Sequence, residues 1–278
     1  MRRFFERTLR LFDVTTRFAL PFTLLVFVVG CAREPVNPSF SVSRSTAQRA
    51  LKAMSNCDRP LERPVVVLGG YHDPGIGPTA FLAKLRSAVR DEKIVAVTYP
   101  FSRSFDDCRR DVIKAIEKKY PSLDAEQTVE VDVIGLSMGG IVARYSATES
   151  PGAKRLRIKR LFTVSSPHRG AIRAALPAMS QLHRDLRPDS EFLRQLERAE
   201  GGERDYEIIP YVRLGDWIVG PENAAPREAP AAYWVSNPPL QSAHMGAPLD
   251  PRIVADIARR LRGEQPLTAT RAAKLPAR

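Results

Sequence analysis

Gly135-Leu136-Ser137-Met138-Gly139 constrains this chain more than any other stretch. Two glycines flanking a serine at this spacing let the backbone turn sharply from strand to helix, where side chains would clash. The turn projects the serine hydroxyl above a sheet. The flanking sequence suits that turn. Residues 128–134 (Thr-Val-Glu-Val-Asp-Val-Ile) alternate and are β-branched, which predicts a strand. Residues 140–147 place apolar side chains at helical spacing. Strand, elbow and helix in this order predict that Ser137 is a nucleophile.

A serine hydroxyl becomes nucleophilic when an imidazole takes its proton, and the imidazole is itself oriented by a carboxylate. On a strand-elbow-helix scaffold the three groups follow the order serine, acid, histidine. The chain has four histidines. His72 precedes the serine. His168 and His183 follow it with only Glu149 between, and Glu149 falls at the far end of the nucleophile helix. His244 is left, in the segment Ser242-Ala243-His244-Met245-Gly246 after the last predicted strand. Asp216 is the expected acid, since it directly follows a strand ending at Leu214-Gly215 and has Trp217-Ile218-Val219 beside it to exclude water. The oxyanion needs two backbone N–H donors. Met138 at the start of the helix supplies one, and Tyr71, in the loop after the first buried strand, is expected to supply the second.

The rest of the chain alternates between strand and helix signals. Strands are predicted over 64–68, 94–98, 160–165, 208–214 (weakened by Pro210) and 233–235, with helices over 45–54, 79–89, 107–120 and 251–262. Such alternation argues an α/β fold with a doubly wound, mostly parallel sheet. The Leu-, Arg- and Glu-rich connection over about 171–205 is long and is expected to form a small helical cap above the strand ends, or a plain crossover with an extra turn. Residues 263–278, small and basic, are expected to fray as a flexible tail.

Four segments carry a resemblance to a known family. Val66-Val67-Leu68-Gly69-Gly70-Tyr71 resembles its oxyanion strand-loop, with Gly69-Gly70 where His-Gly is usual. Residues 132–140 resemble its nucleophile elbow, with Leu136 in place of the more frequent histidine. Ser165-Ser166-Pro167-His168-Arg169-Gly170 resembles the Thr-Pro-His-x-Gly segment after the next strand, and residues 215–221 resemble an Asp-x-x-Val-Pro acid loop. Together, over about 64–262, they resemble the α/β-hydrolase fold and, within it, the bacterial lipase and esterase branch. The resemblance implies a Ser137–His244–Asp216 triad cleaving carboxylic esters, acyl lipids foremost, and a structural role for His168. It implies no cofactor and no metal. The same triad would serve an acyltransferase, and a noncatalytic surface binding protein on this scaffold is the reading from a different class.

The ends of the chain speak to location. Arg2, Arg3, Arg7, Arg10 and Arg17 precede an apolar run from Phe18 to Val29, short for a membrane span but suited to an export signal. Val28-Val29-Gly30-Cys31 resembles a lipobox, which implies lipidation at Cys31 and a protein tethered in the bacterial cell envelope; an ordinary cleaved signal, an uncleaved anchor and a cytosolic core helix are the alternatives. Residues 1–30 would then be the signal, 31–60 a tether and first helix, and 61–262 the hydrolase domain. In an oxidising compartment Cys57 and Cys108 could pair, a bridge worth on the order of 4 kcal/mol if unstrained; two unpaired thiols are the alternative. The net charge of +12 is spread along the chain without a nucleic-acid module, which argues against a nucleic-acid partner and fits an anionic membrane surface.

Overall fold

Runs of aliphatic residues pair side by side into a sheet in the computed structural model, which describes residues 35–176, 180–201, 204–228 and 231–276. The strands are β1 (Val65–Leu68), β2 (Ile94–Val97), β3 (Val131–Leu136), β4 (Ile158–Val164), β5 (Glu207–Arg213) and β6 (Tyr233–Val235). They lie in the order β2-β1-β3-β4-β5-β6, and every pairing is parallel. All residues of β1 and β3 are buried, as a parallel sheet covered on both faces requires. Pro210 sits within β5, opposite Thr163 of β4. The missing N–H costs nothing on the other side, because β6 pairs only with residues from Tyr211 onward.

Eight α-helices are described: α1 (Arg44–Met54), α2 (Ile76–Leu85), α3 (Phe105–Lys119), α4 (Met138–Ala147), α5 (Gln181–Asp185), α6 (Glu191–Ala199), α7 (Ala243–Gly246) and α8 (Pro251–Leu261). Side chains alternate across a strand, so Val66, Leu68, Val131 and Val133 pack with Val112 and Ile116 of α3 and with Ile141 of α4. On the opposite face Val65, Val67 and Ile134 pack with Phe81 of α2, Ala47 of α1 and Ile253 and Ile257 of α8. The chain has the α/β-hydrolase fold.

Several boundaries move from where periodicity put them. Helix α2 starts at Ile76 rather than near 79, because Pro78 needs no N–H in a first turn and the Asp73 carboxylate accepts from the N–H groups of Gly75 and Gly77. Helix α3 starts at Phe105, two residues early, because Ser104 and Asp107 form a reciprocal capping box.

The structure bears on three of these expectations. Cys57 and Cys108 are both free. Cys108 is buried in the cluster under α3, whereas Cys57 follows α1, which packs on the opposite face of the sheet, so a bridge would have to pass through the sheet. The expected flexible tail, 263–278, is docked over its described residues. The N–H groups of Leu267 and Thr268 donate to Asp256, Trp234 Nε1 donates to Lys274 O, and Ala273 bridges Ala232. The end of the expected tether is docked too. Asn37 is buried and its Nδ2 donates to Trp234 O, 2.9 Å away. Cys31 and the apolar run before it lie outside the described residues.

Candidate active site

The elbow is built by two close approaches. A Cβ on Gly135 would lie 2.4 Å from Gly140 Cα, and one on Gly139 would lie 2.5 Å from Leu68 O of β1. Only glycine lets β3 run this tightly into α4. Between them Ser137 is held at φ 52°, ψ −123°, a conformation that non-glycine residues rarely adopt and that stores strain where the chain requires a special side-chain direction.

The structure brings Ser137, His244 and Asp216 together. Ser137 Oγ lies 3.0 Å from His244 Nε2, and His244 Nδ1 lies 2.8 Å from Asp216 Oδ2. The ionised carboxylate can only accept, so Nδ1 carries the proton and Nε2 is left to accept from the Ser137 hydroxyl. Asp216 Oδ1 accepts from the N–H groups of Ile218 and Val219, at 3.0 and 3.1 Å. Burial opposes the charge on Asp216, but His244 and these two N–H donors outweigh it and hold its pKa below the usual carboxylate range. His244 stands on the short helix α7 rather than in an open loop. Of the residues expected to screen Asp216, Val219 is buried and Ile218 lines the cleft, but Trp217 is 54% exposed, with Arg173 stacked on its ring.

Met138 is the first residue of α4, so its N–H is in the turn that has no intrahelical acceptor and sits at the positive end of the helix dipole. Gly70 lies against Ser137, since a Cβ there would be 3.4 Å from Ser137 Cβ. That contact places Tyr71, the next residue, on the rim of the site. Its hydroxyl pairs with Ser180 Oγ at 2.8 Å, tying the loop after β1 to the start of α5.

Ser137 faces two hollows. The larger, about 460 Å³, is walled by Pro74, Ile76, Ala80, Val164, Met245 and Leu249 and is mostly apolar. The smaller, about 150 Å³, lies toward Met138, Arg173, His183 and Leu186. Part of the 171–205 segment therefore borders the site. Its other part, α6, docks away from Ser137, where Phe192 stacks on Phe105 of α3 at 4.1 Å.

One network here was not visible in the sequence reading. Arg144, buried on α4, donates to both carboxylate oxygens of Glu200 at 2.9 and 2.6 Å, and its Nη1 donates to His168 Nδ1 at 3.1 Å. His168 Nε2 then donates to Thr163 Oγ1, 3.0 Å away. Burial, with the charges of Arg144, Arg204 and Arg169, holds the His168 pKa well below its ordinary value, so the ring is neutral. It braces β4 against α4 and stays away from Ser137. The available signal was Arg144 itself, a charge on a helix of small and apolar residues.

The comparisons agree with this architecture. Residues 104–197, which include the elbow, are similar to the PGAP1-like alpha/beta domain family. No curated protein matches the chain. Among solved structures, lipase B of Aspergillus fumigatus matches with a TM-score of 0.57 at 18% identity, over 84% of this chain and 64% of that one. A gene product of Listeria innocua matches with a TM-score of 0.51 at 12% identity, over 76% and 96%. The mature form of the Bacillus licheniformis lipase BlEst2 matches with a TM-score of 0.50 at 13% identity, over 77% and 95%. At these identities the likeness is one of fold. Among the described residues no helix is long and apolar enough to cross a membrane.

Proposed function

We propose that this protein is a serine hydrolase that cleaves carboxylic esters, with acyl lipids as its substrate class. The observation that carries the reading is the hydrogen-bonded line from Ser137 through His244 to Asp216, at the edge of a mostly apolar hollow. Ser137 Oγ attacks the ester carbonyl while its proton passes to His244 Nε2. The N–H groups of Met138 and Tyr71 receive the oxyanion. His244 then gives the proton to the departing alcohol, leaving an acyl-enzyme. Water, deprotonated by the same imidazole, releases the acid and restores Ser137. Asp216 holds the imidazole in the required tautomer and stabilises its charged form.

The same proposal assigns the acyl chain to the larger hollow. Ile76, Met245 and Leu249 reach the surface at its mouth, as a lipid-facing opening would have them do. Export and lipidation at Cys31 belong to the proposal on the sequence pattern alone, with the membrane as partner. Metabolic labelling with an alkyne fatty acid, compared between wild type and Cys31→Ser, tests that part.

The direct test of the chemistry is a fluorophosphonate probe applied to wild type, Ser137→Ala and His244→Ala, alongside hydrolysis of p-nitrophenyl esters of graded chain length. Labelling at Ser137 that depends on His244, with turnover rising toward longer chains, is the expected result. A folded wild type that is neither labelled nor active overturns the reading.

A further inference from the structure

A buried arginine joins the strand that carries Asp216 to the segment that carries His244. Arg213 ends β5, just before Asp216, and is 1% exposed. Its Nη2 donates to Gln241 Oε1 at 2.8 Å, on the N-terminal side of α7. Its Nε lies 3.6 Å from Asp250 Oδ2, on the C-terminal side. Between these two points α7 lies directly on the guanidinium, because a Cβ on Gly246 would fall 1.8 Å from Arg213 Nη1.

Asp250 in turn caps α8 and holds Arg252 through both carboxylate oxygens, at 2.9 and 2.8 Å. Arg252 Nη2 reaches back to Ser236 O, 2.8 Å away, where the chain leaves β6. Both ends of the His244 segment are thus fastened to the ends of β5 and β6. A buried ion cluster is a poor source of net stability, because desolvation offsets most of the attraction. What it supplies is geometry, since a planar guanidinium donates to its partners in only a few directions.

We propose that Arg213 is a positioning residue for the general base, holding α7 so that His244 meets Ser137 and Asp216 at once. The proposal rests on the hydrolase reading above. Without the clamp α7 remains tethered through Arg252 but loses its seat, and the imidazole swings from the line between Oγ and Oδ2. Displacement of a catalytic group by about 1 Å can cost roughly a hundredfold in rate.

The test compares wild type with Arg213→Lys, Arg213→Met and Gln241→Ala, reading kcat and KM on a p-nitrophenyl ester and the rate of fluorophosphonate labelling. Gln241 is exposed, so its variant keeps the fold even where Arg213→Met does not. The expected result is a fall in kcat and in labelling rate, with KM within about twofold. The loss should be smallest for Gln241→Ala and largest for Arg213→Met, up to about a hundredfold. A labelled, active wild type whose Arg213→Lys and Gln241→Ala variants keep full kcat, whatever their melting temperatures, overturns the clamp alone. A wild type without labelling or turnover overturns the hydrolase reading and the clamp with it.

Discussion

His244 Nε2 lies 3.0 Å from Ser137 Oγ although 107 residues separate them in the chain. That distance is a product of strand order. Ser137 leaves β3, Asp216 follows β5, and His244 comes after β6, so three parallel strands deliver their groups to one edge of the sheet.

Replacing Ser137 by Ala removes the oxygen proposed to attack while the elbow glycines keep their packing. Ester turnover should fall by at least about a thousandfold with the melting temperature nearly unchanged. Steady-state hydrolysis and a thermal melt on the same sample check both halves.

Asp216→Asn should cost about ten-thousandfold in kcat, because an amide no longer enforces the tautomer with Nε2 free to accept. A variant within tenfold of wild type would remove Asp216 from the proposed triad.

Acid should weaken the fold partly through Glu200. Burial raises its pKa, but Arg144 and Arg204 outweigh burial and hold it below the ordinary value. A carboxylate with a depressed folded-state pKa contributes stability that is complete above its unfolded pKa, about 4.3 for glutamate. That stability is lost as pH falls from there through the folded value. Glu200→Gln should therefore be less stable than wild type at pH 7, with the difference shrinking toward pH 3. Urea melts across that range decide it.

Gly139→Ala should destabilise the protein by about 1–3 kcal/mol, the range for overpacking, because its new methyl meets the carbonyl of Leu68. Chemical denaturation gives the value. An unchanged midpoint would mean that the turn has room the contact denies.

Thiol titration of a Cys31→Ser variant should find one fast thiol in the native protein and a second after unfolding. Cys57 is exposed. Burial pushes the Cys108 pKa up to about 12, so it stays a protonated, unreactive thiol. No titratable thiol after unfolding would contradict the free pair, and two slow thiols would contradict the exposure of Cys57.

Local rules carried the sequence a long way. Alternation and β-branching located the strands, a pair of glycines around Ser137 located the elbow, and strand-helix order left Asp216 and His244 as partners for it. Those features are encoded over a few residues, where backbone sterics and side-chain period act. The tertiary structure alone decided the rest. Asp73 and Ser104 moved two helix starts through side-chain bonds that periodicity does not register. Cys57 and Cys108 stayed apart because a sheet lies between them. Asn37 and the chain end around Thr268 docked because Trp234 and Asp256 had buried polar groups to satisfy. Arg144 with Glu200, and Arg213 with Gln241, met across long stretches of chain, where no spacing rule links the partners. Such contacts follow from which elements become neighbours, and that is settled only when the whole core packs.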